Sequence, residues 1–393
     1  MGEFVALMAL MTALVALAID AMLPALSQIG TELKASNAND VQLVVGVLFF
    51  GLGLGQLFFG PLSDSVGRKP AIYIGLAVYL LGCLISMLAQ DFNTMLFGRL
   101  LQGLGLSGPR VVSMALIRDQ YSGRQMARVM SFIMIVFIFV PALAPSLGQL
   151  VLWLADWRAI FGLLMVLGVM IWLWLASRQP ETLKPELRRE FKTKVIISGF
   201  VEVCKQPVAI GYTIATGVLS GAFVAFLSTS QQIIQVQYQA GERFPLLFAC
   251  LALCLGLAAF VNGRIVLRYG MRIISRTALL IVTLLSAGFL VATTLFLQPT
   301  LLQYMIFLGL VLFFVGLVFG NMTSIAMEPL GHLAGVGAAV VGAFSTIISV
   351  ILAVTIGSFY TNTVTPLVIG FAVCSAAALM ISQWADRHHQ ETN

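Results

Sequence analysis

Asp20 stands inside an apolar run, Val15-Ala-Leu-Ala-Ile-Asp20-Ala-Met-Leu-Pro24. A carboxylate in hydrocarbon is costly unless it is protonated or paired, so the chemistry open to it is proton uptake and release. Charged, it would attract a cationic or polar solute; neutral, it would let one go. The plainer reading is a structural carboxylate bonded within a bundle or exposed near its outer mouth. Arg99 and Arg110 stand eleven residues apart in another apolar stretch. That is close to three helical turns, so they share a face, and intramembrane arginines usually meet a cavity or a partner. Arg110 follows Pro109 and has Asp119 or a backbone carbonyl as alternative partners. The segment Gly60-Pro-Leu-Ser-Asp64-Ser-Val-Gly67-Arg68-Lys69 reads as a tight turn between two helices, which its glycines permit. Asp64 would end one helix, and Arg68 and Lys69 would begin the next. An acid there can pair with a neighbouring arginine and face the positive end of a helix, a contact able to hold a gate shut. The alternative is a solvated turn. Asp64, Gly67, Arg68, Lys69 and Asp119 form the candidate gating set.

Pro141 and Pro145 stand four apart, with Gly148 beyond. Proline removes a backbone donor and bends a helix, and a small residue lets a second helix approach. This is either a bendable seam or a fixed kink. Gln42, Phe223, Phe226 and Asn321, with Asp20 and Arg110, are candidates for a solute cavity, which is mostly apolar with a few polar groups. Cys250 and Cys254 share a face at i, i+4, and a packing role outweighs a metal pair. The histidines are His332, His388 and His389, too few and scattered for a metal centre. No metal, cofactor or disulfide framework is expected.

The elements that must position these groups follow from composition. Hydrophobic residues make up 60% of the 393 residues and charged residues 10%, against about 25% charged in a soluble domain. A bilayer-spanning helix needs about 20 mostly apolar residues. Twelve stretches qualify: 4–26, 40–62, 70–90, 94–118, 127–151, 158–177, 206–231, 243–266, 273–295, 301–325, 331–358 and 362–384. They lack the alternation of a membrane barrel, so an all-α membrane protein is expected. With the N-terminus placed in the cytoplasm, alternate connections collect Arg68, Lys69, Arg118, Arg124, Arg128, the basic run of 178–205, Arg264, Arg268, Arg272, Arg276 and Arg387. The opposite side receives Lys34, Arg158 and Arg243. That bias sets both termini in the cytoplasm and accounts for the net charge of +6 without nucleic acid. A cleavable signal sequence is not expected.

Residues 178–205 divide the chain into a bundle over 1–177, a linker, and a bundle over 206–393. Within the linker, Phe191 to Val203 mixes basic and apolar residues and suits an amphipathic helix on the inner leaflet. Gly263 and Gly270, followed by Arg272, repeat the spacing of Gly60, Gly67 and Lys69. The match suggests duplication, as in transporters built from repeats, although basic glycine-rich turns are common.

The Gly60–Lys69 segment resembles the signature loop of the major facilitator superfamily, with Ser65 where a basic residue is usual. Arg99-Leu-Leu-Gln102-Gly103 looks like that family's Arg-x-x-Gln-Gly motif, and Asp20 with Pro24 like the Asp-x-x-x-Pro element of drug:proton antiporters. Pro141-Ala-Leu-Ala-Pro145-Ser-Leu-Gly148 resembles the motif of exporters, with Gln149 replacing a second glycine. Met327-Glu-Pro-Leu-Gly331-His-Leu-Ala-Gly335 is similar to the Bcr/CflA drug-resistance subfamily. The resemblance implies two pseudo-symmetric six-helix bundles that rock about a central cavity. It implies export of small, largely hydrophobic drugs, such as amphenicol or bicyclomycin-like antibiotics, against protons. Asp20 and Arg99 would couple protonation to conformation, and the fifth helix would set the outward direction. It further implies a monomer in the bacterial inner membrane, with lipid, solute and protons as partners and no enzyme activity. The alternative is a proton-coupled transporter of a sugar or other metabolite. No P-loop is present, which argues against direct ATP coupling.

Overall fold

The computed structural model describes residues 2–188, 193–295 and 299–391, and these form helices and their connections, with no strand among them. Twelve helical segments are long and apolar enough to cross a membrane. Backbone polar groups in hydrocarbon must find partners within their own segment, which a helix provides.

The chain divides into two compact units, Met1–Ile197 and Ser198–Asn393. In the first, the leading span is broken: α1 (Gly2–Asp20) gives way to a 3-10 turn at Leu23–Ala25, and α2 (Leu26–Glu32) completes the crossing. Pro24, at the start of that turn, has no N–H to continue the helix. Five further spans follow: α3 (Leu43–Val66), α4 (Arg68–Met87), α5 (Phe92–Gln120), α6 (Gly123–Leu154) and α7 (Arg158–Arg178). The amphipathic α8 (Thr193–Lys205) comes next, after the undescribed residues 189–192. Of the helix expected over 191–203, residues 191 and 192 lie outside the described residues.

The second unit holds α9 (Pro207–Ser230), which runs on into a π-helical turn at Gln231–Gln237, then α10 (Phe244–Tyr269), α11 (Met271–Leu295), α12 (Leu301–Met327), α13 (Ala334–Ser358) and α14 (Thr365–Glu391). Gly199 and Phe200 bring α8 onto α13: a Cβ on Gly199 would meet Val336, and Phe200 stacks on Phe344 at 4.8 Å.

Each unit packs its six spans in the same pairs. In the first, α5 lies against α3, α4 and α1, while α1 meets α6 and α7, and α4 meets α7. In the second, α12 lies against α10, α11 and α9, while α9 meets α13 and α14, and α11 meets α14. Small residues allow the tightest of these approaches, as lipid provides no hydrophobic drive between helices. A Cβ on Gly103 of α5 would strike the Leu48 carbonyl of α3, and one on Gly82 of α4 would lie 2.7 Å from the Gly98 carbonyl of α5. Large apolar side chains of α6 are exposed, among them Phe132, Phe139, Leu143, Leu147 and Leu154.

The helix that carries both candidate arginines starts from a strong cap. Asp91 accepts from the Thr94 amide at 2.9 Å and the Thr94 hydroxyl at 2.6 Å. These bonds favour the ionised form and hold the Asp91 carboxyl below the usual carboxylate range.

Candidate functional site

Asp20 is the last residue of α1, not a mid-helix residue as the unbroken apolar run suggests. It remains inside the span Gly2–Glu32. It is 4% exposed, and its Oδ1 is buried without a hydrogen-bond partner among the described residues. The neighbouring backbone is held from the other side by α6, whose helix runs through Pro141 and Pro145. A Cβ on Gly148 would fall on the Ala21 carbonyl, so only glycine lets α6 sit this close to the break. The exporter-like segment of α6 therefore packs against the residue next to Asp20.

Arg99 is fully buried, and its guanidinium is satisfied by three acceptors. Nε donates to the Val44 carbonyl at 3.0 Å, Nη1 to Gln102 Oε1 at 2.7 Å, and Nη2 to the Ala18 carbonyl at 2.9 Å. Arg99 thus binds the backbone two residues before Asp20, and the two side chains make no ion pair. Gln102 passes its amide on to Cys83 Sγ at 3.0 Å. Arg110, three turns further along α5, is exposed, and its guanidinium has no partner among the described residues. Neither of the partners open to it from sequence holds it: Asp119 is engaged elsewhere.

Asp119 belongs to a clasp built on Arg68. Gly67 links α3 to α4 with φ of 113°, a backbone region that suits glycine. The turn places Arg68 so that Nε donates to Asp119 Oδ2 at 3.0 Å and Nη1 to Ser63 Oγ at 3.0 Å, with Asp64 as a further acceptor. Arg68 is nearly buried, whereas Asp64 is exposed at its carboxylate. Two residues missing from the sequence reading complete the clasp. Glu181 accepts the Arg68 and Lys69 amides, each at 3.0 Å, placing a carboxylate on the positive end of α4. Thr182 donates to Asp119 Oδ2 at 2.9 Å. Lys69 turns away and donates Nζ to the Ala176 carbonyl at 3.0 Å.

The second unit has a counterpart. Arg272, just after Gly270 (φ 79°), reaches Asp386 at 3.1 Å and Glu328 at 2.7 Å, and the Tyr212 hydroxyl donates to the same Asp386. The residues expected to line a solute cavity are less open here. Asn321 is 3% exposed and exchanges amide hydrogen bonds with Asn262 at 2.8 and 3.2 Å, besides donating to the Leu317 carbonyl. Phe226 is 1% exposed and stacks on Phe248. Phe223 is half-buried, with its edge to Phe319 at 5.5 Å. Gln42 is buried in the 3-10 turn that precedes α3.

The Major Facilitator Superfamily profile matches residues 8–354. The chain is 28% identical over 381 residues to the bicyclomycin resistance protein homolog of Haemophilus influenzae, covering 96% of this chain and 94% of that protein. It is 28% identical over 344 residues to multidrug resistance protein D of Escherichia coli, covering 84% and 82%. Among solved structures, the xylose transporter XylE of Escherichia coli superposes with a TM-score of 0.72 at 11% identity, covering 97% of this chain and 96% of that one, a likeness of fold.

Proposed function

The chain belongs to the Major Facilitator Superfamily, and from that premise we propose that it exports small, largely hydrophobic drugs across a bacterial inner membrane in exchange for protons, by alternating access. The relatives named for bicyclomycin and multidrug resistance match along most of their length, which supports drugs as the cargo. The observation that carries the coupling is Asp20, a carboxyl buried in a membrane span with one oxygen unpartnered.

A carboxyl in that setting is stable when neutral and costly when charged. It ionises when water or a cationic solute reaches it, and reloads from the side where protons are abundant. Arg99 holds the carbonyl of Ala18 and so fixes the end of α1 while this happens. Gly148 lets α6 track the same break. The Arg68 clasp would seal one face of the protein in one state and part in the other. One proton moving down 100 mV supplies about 2.3 kcal/mol, enough for roughly a fortyfold gradient of a neutral drug at one proton per cycle.

The test is drug movement in proteoliposomes under an imposed proton gradient, with chloramphenicol as the probe. Intact protein should move the drug against the proton flow, and Asp20→Asn should abolish that coupled movement while the protein still folds and inserts. Unchanged coupled export in Asp20→Asn would remove Asp20 from the proposal.

A further inference from the structure

Two arginines share one face of α5, and the protein treats them oppositely. Arg99 is saturated by two carbonyls and an amide oxygen. Arg110 is exposed and has neither hydrogen bond nor ion pair on its guanidinium among the described residues. Its carbonyl accepts from the Ser113 hydroxyl at 3.0 Å.

Its depth makes this notable. Arg110 lies four residues from the middle of Phe92–Gln120, about 6 Å along the axis. The hydrocarbon core extends roughly 15 Å either side of the midplane, so the backbone at Arg110 sits well within it. A guanidinium held there against lipid tails would be strongly unfavourable, and such residues keep company with water, a partner or a ligand. No acid of this unit pairs with it among the described residues. Asp64 and Asp119 are engaged by Arg68. Asp20 lies near the level of Arg99, which holds Ala18, and eleven residues along α5 is about 16 Å. The residue at this position is arginine, whose planar fork matches a carboxylate or phosphate.

We propose that Arg110 is a recognition site for an anionic oxygen group, a carboxylate or similar acid carried on an otherwise apolar solute. This rests on reading the chain as an exporter and adds a class to its cargo: besides neutral drugs, an acid-bearing apolar solute presents its acid to Arg110. The charge on the solute also separates the two ionisable positions. Asp20 trades protons, and Arg110, always cationic, reads the cargo.

The experiment compares 2-naphthoate with its neutral isostere 2-naphthamide, binding to the full chain in phosphatidylcholine nanodiscs by titration calorimetry. The intact protein should bind naphthoate at least about tenfold more tightly than naphthamide, as a charge-assisted pair provides. Arg110→Gln should bring that ratio close to one, and Arg110→Lys should keep part of it. No preference in the intact protein, or a preference that survives Arg110→Gln in protein that elutes as a folded species, would overturn the proposal. The same titration in phosphatidylglycerol nanodiscs separates solute from lipid. An unchanged ratio is expected, and a ratio abolished there would give the guanidinium to a lipid headgroup and overturn its assignment to cargo. Proton-driven chloramphenicol export by the intact protein is scored separately. Loss of that export with the naphthoate preference intact defeats the export reading, whereas export without the preference defeats only the role of Arg110.

Discussion

Arg68 shows how much one side chain can organise. It is nearly buried, yet it gathers Ser63, Asp64 and Asp119 from the ends of two other helices. A lysine would keep the charge and lose the fork, since an ammonium cannot serve those acceptors in one plane. Arg68→Lys should therefore fold but transport poorly, with coupled export in proteoliposomes falling several-fold. Transport at the normal rate would show that charge alone suffices. Glu181 contributes differently, by capping the first amides of α4. Glu181→Ala should lower stability by about 1 kcal/mol, seen as a reduced thermal midpoint in detergent. Asp64 and Arg68 stand out in the sequence because the turn motif carries them, whereas Asp119 lies outside it, 51 residues beyond Arg68. Glu181 and Thr182 do not stand out, as they lie more than a hundred residues beyond Gly67 in a charged linker where any acid looks solvated. Asn321 is a polar group in an apolar stretch, and the sequence does not announce that Asn262, 59 residues earlier, exchanges hydrogen bonds with it.

At the scale of elements, the broken first span and the seam on α6 belong together. Apolar runs of about 20 residues revealed all twelve spans, because hydrophobic length is the one property the bilayer imposes on each. The break at Asp20–Pro24 escaped that reading, since proline is often accommodated inside membrane helices. The structure ends α1 at Asp20 and puts Gly148 against the next carbonyl. Gly148→Val should force α6 off this contact, with a clear drop in thermal midpoint and loss of export, while Gly148→Ala should be milder in both. Equal behaviour of the two variants and the intact protein would deny the seam any role. The start of α5 offers a pH test. The bond from the Thr94 hydroxyl holds the Asp91 carboxyl below its usual range, so the cap stabilises the folded state above the ordinary carboxylate pKa. That contribution fades as pH falls through the lowered value. The thermal midpoint of Asp91→Asn should lie below that of the intact protein at pH 7, and the gap should close in acid.

Across the whole molecule, the two units repeat one packing scheme, and the repeat is visible in their charged turns with a shift. Spacing alone pairs Lys69 with Arg272, each two residues after a glycine. In the structure it is Arg68 and Arg272 that collect carboxylates, while Lys69 serves a backbone carbonyl. Register by chemistry therefore differs by one residue from register by counting. Both arginine clusters stand at turns separated by six candidate spans, an even number of crossings, which predicts one side of the membrane for both. Basic connections favour the cytoplasm, and twelve crossings return the C-terminus to the side of the N-terminus. A fluorescent protein fused after Asn393 should then be bright, and alkaline phosphatase inserted at Gly241, in the connection from α9 to α10 on the opposite side, should be active. Gly241 takes a left-handed backbone with open space around it, so an insertion there is sterically tolerable. The reverse pattern, a dark C-terminal fusion with an inactive phosphatase, would invert the orientation. It would place the Arg68 and Arg272 clusters on the outer face, and with them the gate that this proposal puts inside.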